Sequence, residues 1–600
     1  VLLDEVHERA LDSDLALALC LDLQRGLRPE LRLLAMSATV DGAALAALME
    51  AEVVASAGRA HPVAIRHAAR DLASPREVPE AVARAVRGAL AETTGDILAF
   101  LPGMGEIRRA EAALAGCGAA VLPLHGALPL AAQDLALRPG DGRRVVLATS
   151  IAETSLTVPG VRVVVDGGWR RAPRFDPASG LTRLATLRIS RAAADQRAGR
   201  AGREAPGLAI RLWTEALQRG LPAQDRPEIL ETDLAGLALA CAAWGAAPAM
   251  LPFADPPPAA SLAAAGTLLR DLGFLDAAGL LTETGRAAAR LGAHPRLAAM
   301  MLAAEGPAEG ALAAALAALL EERDPLREAA SADLALRLAA LAGEAPGEAA
   351  ALARIRRAAG QYRARLRLAA APVGRIGRLV AAGFPDRIAQ GRGEPGSFRL
   401  AGGGGAALSP ADPLARAPLL AVAALDLGRT ARIRLAAPLS PDDLPPAVAA
   451  RITETLESGL DPVAGQVLSR RRRRLGTLVL DDRTVAADPT ETARLLAEAA
   501  AARGLPWTPA ARQFQARVLL MRGVEPGSWP DLSDAALAAE VGTWLAPCLA
   551  GFTRLAEVAR LDLLPVLRTL LASGQARRLD QALPAALPLP GGHAPVDYTE

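Results

Sequence analysis

Val145-Val146-Leu147-Ala148-Thr149-Ser150 and, shortly after it, Val161-Arg162-Val163-Val164-Val165-Asp166-Gly167-Gly168 show the pattern on which the reading of this chain turns. Each is a short, nearly unbroken apolar run that stops at small or acidic polar residues. A strand buried on both faces reads this way, because it has no solvent side on which to alternate. Outward from these two, similar runs lie at residues 1–3, 31–36, 97–101, 120–124 and 208–213, with helical stretches between them. Strand alternating with helix predicts parallel α/β units. Polar residues cluster where the runs end: Asp4-Glu5, Ser37-Ala38-Thr39, Pro102-Gly103, Thr149-Ser150 and Asp166-Gly167-Gly168. Open parallel sheets bind ligands beyond the carboxyl ends of their strands, so chemistry is expected there. Gly58-Arg59-Ala60-His61-Pro62-Val63 reads as a link between two such sheets.

At 600 residues the chain exceeds what one hydrophobic core serves, and several domains are expected. Hydrophobic residues at 51% and charged residues at 22% exclude wholesale disorder. Basic residues number 67 against 65 acidic, so a polyanion would be held by a local groove and not by the overall field. Histone-like coating of nucleic acid is excluded. Cys20, Cys117, Cys241 and Cys548 are scattered with no CxxC pair, which argues against a disulfide framework or a zinc site and suits a reducing cytosol. Residues 234–254 carry no charge but are broken by Gly245, Pro248 and Pro252, predicting a helix and loop and not a membrane span.

The chain has no Lys and no Asn. A phosphate-binding loop of the form GxxxxGK[ST] needs Lys. The chain also opens without Met, inside the apolar run Val1-Leu2-Leu3, so it is expected to be incomplete, with that loop upstream. After residue 213 the pattern turns helical, with Asp255-Pro256-Pro257-Pro258 as punctuation; residues 398–435 look strand-rich, and a mixed segment follows from residue 452.

Asp4-Glu5-Val6-His7 follows the opening strand directly. One carboxylate there can hold Mg²⁺ while a second polarises the water that attacks a γ-phosphate. A solvated strand-end turn explains the same letters. In Gln196-Arg197-Ala198-Gly199-Arg200-Ala201-Gly202-Arg203, Arg200 and Arg203 stand three residues apart with small residues between them. On a helix that spacing sets both guanidinium groups on one face, open to phosphate oxygens, although a solvated basic helix would also fit. Arg470 to Arg474 form a basic run that reads either as polyanion contact or as an exposed strand with splayed side chains.

These two motifs, with Ser37-Ala38-Thr39, residues 148–157 and Val165-Asp166-Gly167-Gly168, resemble in order and spacing, along the chain, motifs II, III, V, Va and VI of superfamily 2 DEAH/RHA helicases. Phe384-Pro385-Asp386-Arg387-Ile388-Ala389-Gln390 and the tail with Pro595-Val596-Asp597-Tyr598 resemble the bacterial HrpB branch of that family. The resemblance implies a multidomain chain: α/β RecA-like parallel-sheet domains, then winged-helix, helical-bundle (ratchet), OB-like β and C-terminal mixed α/β domains. Its divisions would be residues 1–58 for the end of the first RecA-like domain, 59–215 for the second, 216–290 for the winged helix, 291–370 for the ratchet, 371–451 for the OB-like region and 452–600 for the C-terminal domain. Leu281-Thr282-Glu283-Thr284-Gly285 resembles the wing, and residues 174–187 resemble a strand-separating hairpin.

Carried over by residue, the resemblance implies that Asp4 holds Mg²⁺ and Glu5 activates water, both near the metal. His7 would link the nucleotide site to Gln196 and to Ser37 and Thr39. Gln196 would orient the attacking water, and Arg200 and Arg203 would act as arginine fingers. Thr157 and Asp166 would complete the ATP site, and Thr149 and Thr154 would hold nucleic acid phosphates. The activity implied is ATP-dependent 3′ to 5′ translocation on RNA or single-stranded nucleic acid in the bacterial cytoplasm, with no membrane and with protein partners through the C-terminal domain. The alternative is a nucleic-acid-binding scaffold that does not hydrolyse ATP, a description that fits the chain as given if its phosphate-binding loop lies upstream.

Overall fold

The computed structural model describes residues 1–37, 42–56, 61–126, 128–140, 142–153, 156–326, 329–426, 430–589 and 592–599. It contains two units, Val1–Ala450 and Arg451–Glu600.

The first unit opens with a strand, helix and strand: β1 (Leu2–Leu3), α1 (Leu11–Gly26) and β2 (Leu34–Ala35). The two strands run parallel, with Leu2 opposite Leu34 and Leu3 opposite Ala35. The runs at 1–3 and 31–36 thus yield two-residue strands, because backbone pairing extends only as far as a neighbour does, and Leu2 stays 70% exposed.

Six strands follow in one parallel sheet: β3 (Val63–His67), β4 (Asp96–Phe100), β5 (Ala120–Leu124), β6 (Arg144–Ala148), β7 (Val161–Asp166) and, after the hairpin of β8 (Trp169–Asp176) and β9 (Leu181–Arg188), β10 (Gly207–Arg211). Their order is β3-β10-β7-β4-β6-β5. Alternate residues of the central strands feed two cores. Ile97, Ala99 and Val145 pack with Val82 of α2 (Val78–Glu92) and Ile107 of α3 (Met104–Ala113). Leu98, Phe100, Val146 and Val164 pack on the other face with Ala198 and Ala201. Burying each such large apolar side chain contributes about 1.5–3 kcal/mol, so the sheet's centre fixes the fold. Val63, read from sequence as part of a link, instead begins β3. Among the described residues that strand pairs only with β10, and it leaves Ile65 43% exposed, so its apolar signal was diluted by an edge position.

The sheet's carboxyl edge is level: Phe100 stands opposite both Ala148 and Asp166, and Asp166 opposite Arg211. Beyond it come helices, then a closed barrel of β11 (Ile388–Gly391), β12 (Ser397–Leu400), β13 (Gly405–Ala407), β14 (Leu419–Asp426) and β15 (Ala431–Pro438). In the stretch compared with a wing, only Leu281 pairs, in an isolated bridge to Leu275. The Thr282 hydroxyl accepts from the Gly285 amide at 2.9 Å and starts a helix there instead. Gly285 suits that turn, because a Cβ would meet the Phe274 carbonyl at 2.2 Å. The apolar stretch from 234 holds a helix of 10 residues, Ala235–Trp244, and a short 3-10 turn, Pro248–Met250, and no described helix is long and apolar enough to cross a membrane.

The second unit is mixed α/β: an antiparallel sheet of β16 (Thr453–Leu460), β17 (Val467–Leu475) and β18 (Leu478–Val485), then helices and the hairpin of β19 (Ala586–Leu589) and β20 (Gly592–Pro595). Leu496, Val518, Trp529, Leu545 and Leu567 form its own core.

Candidate active site

Asp4 and Glu5 sit where β1 ends. The Glu5 amide donates to Asp4 Oδ1 at 2.8 Å, and Glu5 adopts a left-handed backbone (φ 51°) at the head of a short 3-10 turn. The Val6 amide donates to the Met36 carbonyl at 3.1 Å, which sets the exposed Ser37 beside this turn. Thr39 and Thr154 lie outside the described residues. Arg9, which sequence reasoning passed over, fixes the turn from behind: it reaches Asp14 at 2.9 Å and Asp255 at 2.7 Å. Asp4 and Glu5 are both exposed. Their hard oxygen donors fit Mg²⁺, which takes one or two carboxylates together with substrate phosphates and water.

Helix α4 (Arg191–Gly199) starts where the Ser190 hydroxyl accepts from the Ala193 amide at 3.0 Å. It brings the second set of residues to the first. Gln196 Nε2 lies 3.3 Å from His7 Nε2, and His7 Nδ1 lies 3.4 Å from Glu5 Oε2. A relay of side chains thus joins the Asp4-Glu5 turn to α4. The helix ends at Gly199, and Arg200 to Gly202 form a 3-10 turn, so the two arginines do not share a helix face as their spacing suggested. They converge all the same. Arg200 Nη1 donates to the Leu156 carbonyl at 2.9 Å, and Arg203 Nη1 donates to Thr157 Oγ1 at 2.5 Å. Gly202 permits the turn, since a Cβ would meet the His61 carbonyl at 2.5 Å. Burial, then the neighbouring Arg203 cation, push Arg200 down to about 10, against the opposing pull of Glu153 and Glu5.

Between these residues lies Arg197, 1% exposed, donating from Nε to Glu153 at 2.9 Å and from Nη1 to Asp166 at 3.0 Å, with its guanidinium 4.8 Å from the centre of the Phe100 ring. The opposite carboxylates hold it firmly charged. Asp166, expected to help hold the nucleotide, is 2% exposed and spends Oδ1 on Arg197 and on the Gly168 amide at 2.8 Å. Thr149 is half-buried past the end of β6 and makes no side-chain cap. In the second unit, the Arg470–Arg474 run is the middle strand of its sheet. Arg470 and Arg472 pair with Asp482, Arg472 and Arg474 with Glu457, and Arg471 with Glu454.

An acidic turn at the end of one parallel strand, a Gln-Arg helix packed on a six-stranded parallel sheet and two arginines that converge just after that helix define the core of a superfamily 2 helicase. Comparison with known proteins agrees. A model of the helicase conserved C-terminal domain matches residues 78–205. The chain is 39% identical over 99% of its length to the ATP-dependent RNA helicase HrpB of Escherichia coli (strain K12), of which it covers 73%. Against the ATP-dependent RNA helicase HrpA of the same organism it is 36% identical over 51% of its length, covering 24% of that protein. A crystal structure of the E. coli DExH-box NTPase HrpB superposes with a TM-score of 0.70 at 38% identity, covering all of this chain and 74% of that one. The chain belongs to the HrpB family of DEAH/RHA helicases.

Proposed function

We propose that this protein hydrolyses ATP with Mg²⁺ and uses the cycle to move 3′ to 5′ along RNA in the bacterial cytoplasm. The observation that carries this reading is the relay Glu5–His7–Gln196, which ties the acidic turn to the helix that leads into Arg200 and Arg203. Glu5 takes the proton of the attacking water, whose oxygen bonds to the γ-phosphorus as the bond to ADP breaks. Gln196 orients that water, and Arg200 and Arg203 stabilise charge on the γ-phosphoryl oxygens, a role worth roughly 10³ to 10⁵ in rate. Asp4 and Glu5 would hold Mg²⁺, which when bound neutralises phosphate charge. Ser37 and Thr39 couple the two halves of the cleft, Thr157 lines it, and Thr149 and Thr154 grip backbone phosphates, which small hydroxyl donors do without reading bases. The divisions at 58, 215, 290, 370 and 451 belong to this proposal, as do protein partners for the last domain.

The test is Glu5→Gln in the complete gene product. Hydrolysis should fall by at least about a hundredfold while a single-stranded RNA oligonucleotide stays bound with affinity within about threefold, because the residue acts on water and not on the strand. Turnover near wild type would remove Glu5 from the role of base.

A further inference from the structure

Arg197 is sealed from solvent, yet its neighbour Gln196 and its near neighbour Arg200 are both assigned to ATP. Its two carboxylate partners come from different strand ends: Glu153 follows β6, and Asp166 closes β7. Glu153 holds both arginines, Arg197 through its side chain and Arg200 through its backbone carbonyl. Asp166 also receives the Gly168 amide, where the chain leaves the sheet for the hairpin. We propose that Arg197, clamped between Glu153 and Asp166, is a positioning residue that sets Gln196 and Arg200 in register with the ends of β6 and β7. Asp166 is then a support for that clamp and not a nucleotide contact.

Three features support this. A planar guanidinium offers separate edges to two carboxylates, which the single ammonium of Lys cannot match. A buried ion pair is often replaceable by apolar residues of similar volume without loss of stability, so a sealed arginine with two acids is a poor choice for packing alone. And the clamp lies at the carboxyl edge, where Phe100, Ala148 and Asp166 stand level and α4 begins its approach to His7.

The sheet supplies its own control. Arg144 and Asp96 form another buried pair, 2.6 Å apart, at the amino ends of β6 and β4. The inference rests on the helicase reading above and is tested on the complete gene product with a single-stranded oligoadenylate. The measurements are the single-turnover rate constant for ATP hydrolysis, which does not scale with the folded fraction, together with oligonucleotide affinity and Tm. Arg197→Lys and Glu153→Ala should each slow hydrolysis by about tenfold to a hundredfold with affinity nearly unchanged, the scale of loss expected when a reacting group is misplaced by about 1 Å. Asp96→Ala should lower Tm as much and leave the rate constant within about threefold. If Arg197→Lys does not fold, Glu153→Ala decides, because it leaves Arg197 paired to Asp166. Rate constants near wild type in the clamp variants, or an equal fall in Asp96→Ala, would overturn the inference alone. A wild-type protein that does not hydrolyse ATP would overturn the helicase reading and this inference with it.

Discussion

Glu5 and Arg200 each hold a state that an ordinary surface residue would leave. A non-glycine residue in the left-handed region carries a cost of about 1–3 kcal/mol, which the Met36 and Asp4 contacts around the turn offset. Arg200 is charged in a place that penalises charge, and this makes a pH prediction. A finger needs its proton, so activity is lost as pH rises through its pKa, here lowered to about 10. The alkaline limb of kcat/KM, which reports the free enzyme, should fall near pH 10. In kcat the limb should move upward, because a bound γ-phosphate restores the cation's preference. Identical limbs in both profiles would argue that Arg200 does not meet the phosphate. Asp4, Glu5, Gln196, Arg200 and Arg203 are proposed from local strings of sequence, and the structure brings Glu5 and Gln196 together through His7. The partners of Arg197 were not legible there, since Glu153 and Asp166 acquire their roles only when two strand ends are brought level. A polar residue ending a strand reads as a nucleotide contact whether it faces the cleft or the core, and Asp166 is buried with Oδ1 on Arg197 and the Gly168 amide.

The elements repeat that lesson. The central strands β4, β6 and β7 declared themselves by apolar runs, whereas edge strand β3 has only the short run Val63-Ala64-Ile65, whose first residue reads as the end of a link. The basic strand β17 shows how a pattern's meaning depends on its neighbours. Five consecutive arginines suggest a polyanion surface, but β16 and β18 set Glu454, Glu457 and Asp482 against them. Exposed pairs of this kind add about 0–1 kcal/mol each to stability, yet they commit Arg470 and Arg472 to Asp482 and Glu457 and offset part of the charge that would attract phosphate. Arg470→Gln together with Arg472→Gln should therefore leave the salt dependence of RNA binding almost unchanged. Each lost phosphate contact would instead reduce the log–log slope by about 0.7. A fall of about that size per residue would show that the arginines leave their acidic partners to hold the strand.

For the whole molecule, the chain divides into two units at Ala450. The core around Leu496, Trp529 and Leu567 is drawn entirely from residues after 450, and its closing tail is tied down within the same unit, with the Tyr598 amide donating to Gln513 at 2.9 Å and its hydroxyl to the Pro584 carbonyl at 2.8 Å. Arginines and acidic residues are equal in number there, so this unit has no net field with which to draw in nucleic acid. Every residue assigned to ATP lies in the other unit. Limited proteolysis should thus cut near the boundary and leave a C-terminal fragment of stable size, because backbone inside a packed core is rarely open to a protease. Ending the complete gene product at Ala450 should preserve basal ATP hydrolysis within about threefold, and any change should fall on the choice of substrate or partner. If hydrolysis disappears from a shortened protein that still melts cooperatively, the second unit helps to build the cleft, and the catalytic core extends past Ala450.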